Sequence, residues 1–167
     1  MIVIIFGVSG AGKTTVGKLL ARELGWHFLE ADDFHPAANI KKMRSGHPLT
    51  DEDRWPWLEA LLEQIERFLA VEEDAVLACS ALKRKYREHL RVSPDVKLIF
   101  LRGDFTLIEK QLRGRRGHFM NPELLQSQFA DLEEAEPDED ALTIELGRTP
   151  QEIVEEIKTK LRLASKD

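Results

Sequence analysis

Residues 7–14 constrain the fold of this chain more than any other segment, because they read Gly-Val-Ser-Gly-Ala-Gly-Lys-Thr. The pattern G-x-x-x-x-G-K-[ST] is typical of a P-loop, whose backbone N–H groups bind phosphate oxygens. An apolar run, residues 2–6, precedes the loop, and a helix-type pattern begins at Thr15. A strand, this loop and a helix N-terminus in that order predict a phosphate site at one edge of a parallel sheet.

Short apolar runs alternate with longer amphipathic stretches along the rest of the chain. The runs cover residues 2–6, 26–29, 75–79, 96–101 and 142–146. Four of them are nearly continuous, as expected of parallel strands covered on both faces. Leu58, Leu61, Leu62, Ile65 and Leu69 recur at helical spacing between two of the runs. Thr149, Pro150 and Glu152 predict the start of a final helix with a capping box. This alternation predicts an α/β fold with a parallel sheet.

The P-loop predicts which residues contact a nucleoside triphosphate. Lys13 is expected to reach the β- and γ-phosphates, and the Thr14 hydroxyl to bind Mg²⁺. The expected nucleotide contacts are Gly7, Val8, Ser9, Gly10, Ala11, Gly12, Lys13, Thr14 and Thr15. The tetrapeptide Asn-Lys-x-Asp, common in GTP-binding switches, does not occur in the sequence. We therefore expect a kinase that uses Mg-ATP.

Carboxylates follow the second apolar run, where a kinase needs a group to orient or deprotonate the acceptor hydroxyl. Asp32 is the first candidate for this role and for a contact with Mg²⁺, and Glu30 is the second. His35 precedes Pro36 and therefore lies in an extended or turn segment, where it is a candidate substrate contact or a turn cap.

Basic residues supply candidate anion contacts elsewhere. Arg54 is able to form a forked pair with a carboxylate or phosphate. Lys83 and Arg87 are spaced i, i+4 and are candidates to meet one anion together. Two glycines and three arginines at residues 113–117 predict a mobile lid over about residues 113–122, with Arg115 closing on the phosphates and acting in catalysis. His118 completes the expected substrate set.

Composition narrows the function classes. The chain has 167 residues and predicts one domain, 1–167. Its net charge is −6, and seven of the ten residues 131–140 are acidic, which predicts a solvated acidic loop and argues against a nucleic-acid partner. Cys79, the single cysteine, is expected to be a buried strand residue. No segment resembles a signal peptide or a membrane span, so a cytoplasmic protein without a membrane partner is expected.

These residues together resemble the gluconokinases of the shikimate-kinase-like P-loop kinases. The resemblance covers nearly the whole chain. Its motifs are residues 7–14, His35-Pro36, Asn39-Ile40-x-Lys42-Met43, residues 46–58 (Gly46-x-Pro48-Leu49-x-Asp51-x-Asp53-Arg54-x-Pro56-Trp57-Leu58), Cys79-Ser80-Ala81-Leu82-Lys83, Tyr86-Arg87, Gly117-His118-Phe119-Met120 and Leu124-Leu125-x-Ser127-Gln128-Phe129.

The resemblance implies a three-layer P-loop kinase fold with a five-stranded parallel sheet, helices on both faces and, often, a homodimer. It implies Mg-ATP-dependent phosphorylation of D-gluconate on its 6-hydroxyl, with the loop 147–150 beside the adenine. Two positions depart from the family pattern. Glu30-Ala31-Asp32 replaces the usual Asp-Gly-Asp, and Gln111 stands where an arginine is common. Another small-molecule kinase, of the shikimate or nucleoside-monophosphate type, and a non-catalytic nucleotide sensor remain the alternatives.

Overall fold

A computed structural model describes residues 1–114 and 122–165 of the chain. Five parallel strands form one sheet in these residues: β1 (Ile2–Phe6), β2 (His27–Glu30), β3 (Ala75–Ala78), β4 (Val96–Arg102) and β5 (Leu142–Glu145). Their order across the sheet is β2-β3-β1-β4-β5. β1 is the central strand, pairing with β3 through Ile4 and Leu77 and with β4 through Ile4 and Leu98. The predicted five-stranded parallel α/β fold is therefore confirmed.

The helices lie on both faces of the sheet and complete three layers. They are α1 (Lys13–Leu24), α2 (Ala37–Arg44), α3 (Asp51–Ala70), α4 (Arg84–Leu90), α5 (Phe105–Arg113), α6 (Pro122–Asp131) and α7 (Pro150–Leu161). Short 3₁₀ turns cover Ala31–Phe34 and Pro137–Glu139. The predicted capping box of α7 is present, with the Thr149 side chain accepting from the Glu152 N–H. Thr50 and Asp53 form a second capping box at the start of α3.

The continuous apolar run of β1 divides between two hydrophobic cores because successive side chains of a strand point to opposite faces. Ile4 packs into a core with α3 and α4, including Trp57 and Tyr86. Ile5 packs into the other core with α1 and α7, including Leu20 and Val154. The P-loop follows β1 at the carboxyl edge of the sheet, and its Val8 and Ala11 belong to the second core.

The acidic stretch 131–140 is a largely exposed loop with a short 3₁₀ turn, as expected, except that the Glu139 carboxylate is buried. Its carboxylates pair with arginines on other elements: Asp131 with Arg54, Glu134 with Arg102, Asp138 with Arg84, Glu139 with Arg87 and Asp140 with Arg91. Two of these partners, Arg84 and Arg87, lie on α4, so the stretch is held against that helix. We call the stretch 131–140 the acidic strap.

None of the helices in the described residues is long and apolar enough to cross a membrane.

Candidate active site

The loops that follow β1, β2 and β3 enclose a pocket of about 260 Å³, which we call the central pocket. Its polar wall combines the P-loop with residues of β2, the 3₁₀ turn after β2, α3, the loop after β3 and α6. The lining residues include Ser9, Lys13, Glu30, Asp32, His35, Arg54, Ser80, Ser127 and Gln128. A pocket at the carboxyl ends of adjacent parallel strands is the usual ligand site of an open α/β sheet.

A second pocket of about 300 Å³, the side pocket, lies on the other flank of the P-loop. Ala11, Gly12 and Thr15 line it from the loop and the start of α1. The opposite wall is formed by α5 and by the loop after β5, through Lys110, Gln111, Gly114, Leu146, Arg148 and Pro150. The P-loop therefore separates two adjoining spaces, and the loop 147–150 stands beside the outer one.

Position 10 of the P-loop requires a glycine for two reasons. Its φ of +83° lies in the left-handed region that side chains rarely adopt. A Cβ added there would also come within 2.5 Å of the Leu112 side chain in α5. The loop thus closes tightly on the helix that leads to residue 114, and a side chain at this position would force them apart.

Lys13 and Thr14, the first two residues of α1, donate hydrogen bonds to different acceptors. The Lys13 ammonium donates to the Val8 carbonyl at 2.9 Å, folding back over the loop. The Thr14 hydroxyl donates to Oε2 of Glu30 at the end of β2. Burial raises the pKa of the Glu30 carboxyl, and the hydrogen bond from Thr14 partly opposes that rise. Glu30, the second choice for the carboxylate role, is thus joined directly to the P-loop.

Asp32 and His35 lie together on the 3₁₀ turn after β2. The Asp32 side chain is 75% exposed and reaches His35 Nε2 at 3.8 Å. His35 stacks on Trp57 with ring centroids 4.3 Å apart, and the Asn39 amide lies 3.2 Å from its Nδ1. Because that amide nitrogen is a donor, Nδ1 accepts and the ring proton sits on Nε2, facing Asp32. Burial lowers the pKa of His35, which keeps the ring neutral.

The break in the family pattern at Ala31 is accommodated by the turn itself. Ala31 is buried at the edge of the α3 core and does not have a positive φ. Its carbonyl accepts a 2.7 Å hydrogen bond from the Trp57 indole. Trp57 therefore anchors the backbone between Glu30 and Asp32, and a methyl group at position 31 fits without strain.

Arg54 supplies a cation to the wall of the central pocket. Its Nη2 donates to Asp131 at 3.2 Å, and its Nη1 donates to the Tyr86 hydroxyl at 3.1 Å. The side chain is only 11% exposed. Arg54 is therefore held in one orientation by residues of α4 and α6.

Lys83 and Arg87 are not brought together on one anion, and neither lines the central pocket. Lys83 donates to Asp51 at 2.9 Å. Arg87 is 1% exposed and forms two hydrogen bonds with Glu139 and two with the carbonyls of Ala81 and Leu82. The expectation of a substrate contact is corrected for Arg87, because protein acceptors take its donors, whereas for Lys83 it stays a prediction.

The remaining predicted residues divide into two groups. Arg115, His118 and most of the predicted lid fall on residues 115–121, which lie outside the described residues. Cys79 is buried directly after β3, and burial raises the pKa of its thiol to about 12, so it is no nucleophile at neutral pH. The structure also adds Ser80 and Gln128 to the central pocket. In the sequence, these two residues could have been found from the family motifs at 79–83 and 124–129, to which they belong.

Comparisons with known proteins find relatives over nearly the whole chain. A family model described as shikimate kinase matches residues 9–162. The gluconokinase of Gluconobacter oxydans (strain 621H) is 45% identical over 156 residues, 92% of this chain and 87% of that protein. The solved gluconokinase of Sinorhizobium meliloti 1021 is 42% identical with a TM-score of 0.87, covering 97% of this chain and 92% of that one. An unliganded sugar kinase from Janibacter sp. HTCC2649 is 44% identical with a TM-score of 0.91, covering 98% and 95%.

Proposed function

This chain belongs to the gluconokinase family of shikimate-kinase-like P-loop kinases, and on that premise we propose that it transfers the γ-phosphate of ATP to the 6-hydroxyl of D-gluconate. One observation carries the proposal: the P-loop lysine Lys13 and the carboxylates Glu30 and Asp32 line the same small pocket. A pocket of about 260 Å³ suits a small acceptor molecule. The products are ADP and 6-phospho-D-gluconate.

ATP binds, on this proposal, with its phosphates along the P-loop and its base in the side pocket. The left-handed glycines Gly10 and Gly12 shape the loop so that its N–H groups converge on phosphate oxygens. The helix N-terminus of α1 adds its positive end. Adenine then lies between the α5 residues Lys110 and Gln111 and the loop after β5, where Arg148 lines the pocket.

Mg²⁺ fits the donor set at the inner end of the P-loop. The Thr14 hydroxyl and the Glu30 carboxylate are hard oxygen ligands already in contact, and Asp32 lies on the same pocket wall. No group of three or more His, Cys, Asp or Glu side chains within residues 1–114 and 122–165 could hold a metal by itself. That is the usual situation for Mg²⁺ in kinases, where substrate phosphates and water complete the coordination. When bound, Mg²⁺ neutralises charge on the phosphates.

Asp32 orients the acceptor hydroxyl and accepts its proton as the new O–P bond forms. Its exposed carboxylate lies at the mouth of the pocket and has the Nε2–H of neutral His35 beside it. His35 is itself fixed by Trp57 and Asn39, so a neutral ring stands beside Asp32 and adds no charge. Lys13 stabilises the charge that develops on the transferring phosphoryl group.

Arg54 holds the carboxylate of gluconate at the far side of the central pocket. A guanidinium matches the two oxygens of a carboxylate, and Arg54 is nearly buried there. Asp131 already accepts a hydrogen bond from Nη2 of Arg54. The substrate carboxylate therefore either displaces Asp131 or binds to Arg54 beside it. With the carboxylate held at Arg54, the 6-hydroxyl at the other end of the chain is directed to Asp32.

The lid at about residues 113–122 closes over the phosphates in this account, with Arg115 on the phosphoryl group and His118 on the sugar acid. Both assignments rest on the sequence motif. A homodimer and a cytoplasmic location are proposed on the family resemblance and the single buried cysteine. No nucleic-acid or membrane partner is included, because the basic residues at α4 pair with carboxylates of the protein, Arg84 and Arg87 with the acidic strap and Lys83 and Lys85 with Asp51.

Product identification tests the proposed reaction. The protein is incubated with ATP, MgCl₂ and D-gluconate, and the mixture is followed by ³¹P and ¹³C NMR. We expect ADP and a phosphomonoester whose phosphorus couples to C6 of gluconate. ADP formation that does not depend on gluconate, or a phosphate on another carbon, overturns the proposal.

A further inference from the structure

A side chain from helix α6 is hydrogen-bonded directly to the P-loop. The backbone N–H of Ser9 donates to Oε1 of Gln128 at 2.7 Å, although the two residues are 119 positions apart in the chain. Both residues line the central pocket. This contact joins the phosphate loop to the helix that follows residues 115–121.

Ser9 lines a different pocket from several of the loop residues that follow it. Ala11, Gly12 and Thr15 line the side pocket, whereas Ser9 lines the central pocket. Its hydrogen bond to Gln128 therefore lies on the acceptor side of the loop.

The direction of this hydrogen bond fixes the orientation of the Gln128 carboxamide. A backbone N–H needs an acceptor, so the oxygen of the carboxamide must face Ser9 and the NH₂ group must be its other end. Among the described residues no side chain accepts a hydrogen bond from Nε2 of Gln128. The NH₂ group is thus a pre-oriented donor on the wall of the central pocket.

Helix α6 is fixed at a second point one turn further along. Asp131 pairs with Arg54 at 3.2 Å, and residues three apart on a helix lie on the same face. Gln128 and Asp131 thus bind the P-loop and the pocket cation from one face of α6. The fold therefore sets the position of the Gln128 carboxamide.

We propose that Gln128 is a specificity-determining residue of the acceptor site, whose Nε2 donates a hydrogen bond to a hydroxyl oxygen of the sugar acid while Ser9 holds its Oε1. The inference rests on the proposed function, because it takes the central pocket to be the gluconate site. A polyol chain crossing the pocket needs neutral donors along its length, and a carboxamide held at one end provides one at little entropic cost.

Two substitutions distinguish the role of the Nε2 donor from the role of the hydrogen bond between Gln128 and Ser9. Gln128→Met keeps the length and neutrality of the side chain but removes both hydrogen bonds. Gln128→Glu keeps an oxygen for the Ser9 N–H and removes the donor. Gln126→Met and Gln126→Glu are matched controls, because Gln126 is an exposed glutamine on the same helix. Steady-state kinetics with gluconate and ATP varied in turn, and the melting temperature, are measured for all five proteins, wild type included.

Both Gln128 variants are expected to raise KM for gluconate about 10-fold, as for a lost hydrogen bond that leaves a buried group unpaired. KM for ATP should change less than about 3-fold, and the Gln126 variants should match wild type. If Gln128→Glu behaves as wild type, or if KM for ATP rises as much as KM for gluconate, the donor role is wrong. Should Gln128→Met not fold, Gln128→Glu alone decides. Wild-type turnover of gluconate in the same assay tests the proposed function separately.

Discussion

The guanidinium of Arg87 and the carboxylate of Glu139 form a two-bond ion pair inside the protein, with distances of 2.7 Å from Nε to Oε1 and 3.0 Å from Nη2 to Oε2. The side chains are 1% and 4% exposed. Burial alone would raise the pKa of Glu139, but the hydrogen bonds from Arg87 and the backbone leave it lowered. This pair fastens the acidic strap to α4 and to the loop after β3.

Removing Arg87 is therefore expected to destabilise the protein. Arg87→Met should lower the free energy of unfolding by about 3–5 kcal/mol, because it leaves the Glu139 carboxylate buried without its partner. Arg84→Met is the matched control, since Arg84 also pairs with a strap carboxylate, Asp138, but at the surface. Its effect should stay within about 1 kcal/mol. Denaturant unfolding measures both.

Arg87→Lys tests the same account through activity. It keeps the charge and should leave KM for gluconate within about 3-fold of wild type in the folded protein, because Arg87 does not line the central pocket. A large rise in KM for gluconate in a variant of near-normal stability would indicate that Arg87 contacts the substrate.

The sequence predicted the parts of the molecule whose determinants are local. The P-loop, the five strands and the Thr149–Glu152 capping box follow from spacing and from residue type over short stretches. The partners of the charged residues did not follow, because they depend on which distant elements meet. Lys83 and Arg87 have the spacing of a joint anion site, yet they face Asp51 and Glu139. The hydrogen bond from Ser9 to Gln128 spans 119 residues and was beyond any local pattern.

Lys13 tests the nucleotide site. Lys13→Ala should lower kcat/KM by at least about 100-fold, because a cation on the transferring phosphoryl group in a closed site contributes several kcal/mol. Lys18→Ala is the control, since Lys18 is an exposed lysine of the same helix that lies over the Phe28 ring. Near-wild-type turnover by a folded Lys13→Ala protein would rule out the assignment.

Asp32 tests the acceptor site. Asp32→Asn should lower kcat by roughly 10²–10⁴, the range for a positioned general base, while ATP still binds. Calorimetry of ATP binding and steady-state kinetics measure the two properties. Asp33→Asn is the control, because Asp33 is an exposed neighbour that does not line the central pocket. Loss of ATP binding with an unchanged chemical step would contradict the role given to Asp32.

His35 links stability to pH. Its pKa is lowered from 6.5 by burial, so below about pH 6.5 the unfolded chain binds more protons than the folded protein. The contribution of His35 to the free energy of unfolding should therefore be fully present above pH 6.5. It should fall as the pH drops below 6.5, by up to about 1.4 kcal/mol per pH unit for one proton. Melting curves between pH 5 and 8 measure this for wild type and His35→Gln. The variant should lose that part of the slope, whereas His47→Gln, at an exposed site, should keep it.

The account's central claim is that the central pocket selects D-gluconate as the acceptor. The direct measurement is kcat/KM for gluconate against glucose, shikimate, other aldonic acids and nucleoside monophosphates, at fixed Mg-ATP. Glucose has no carboxylate for Arg54 and shikimate has no extended chain, so each leaves pocket groups unpaired, and both should be poorer by up to about 10⁴-fold. The account predicts that gluconate has the highest kcat/KM of the panel. A ten-fold higher value for any other acceptor would contradict it.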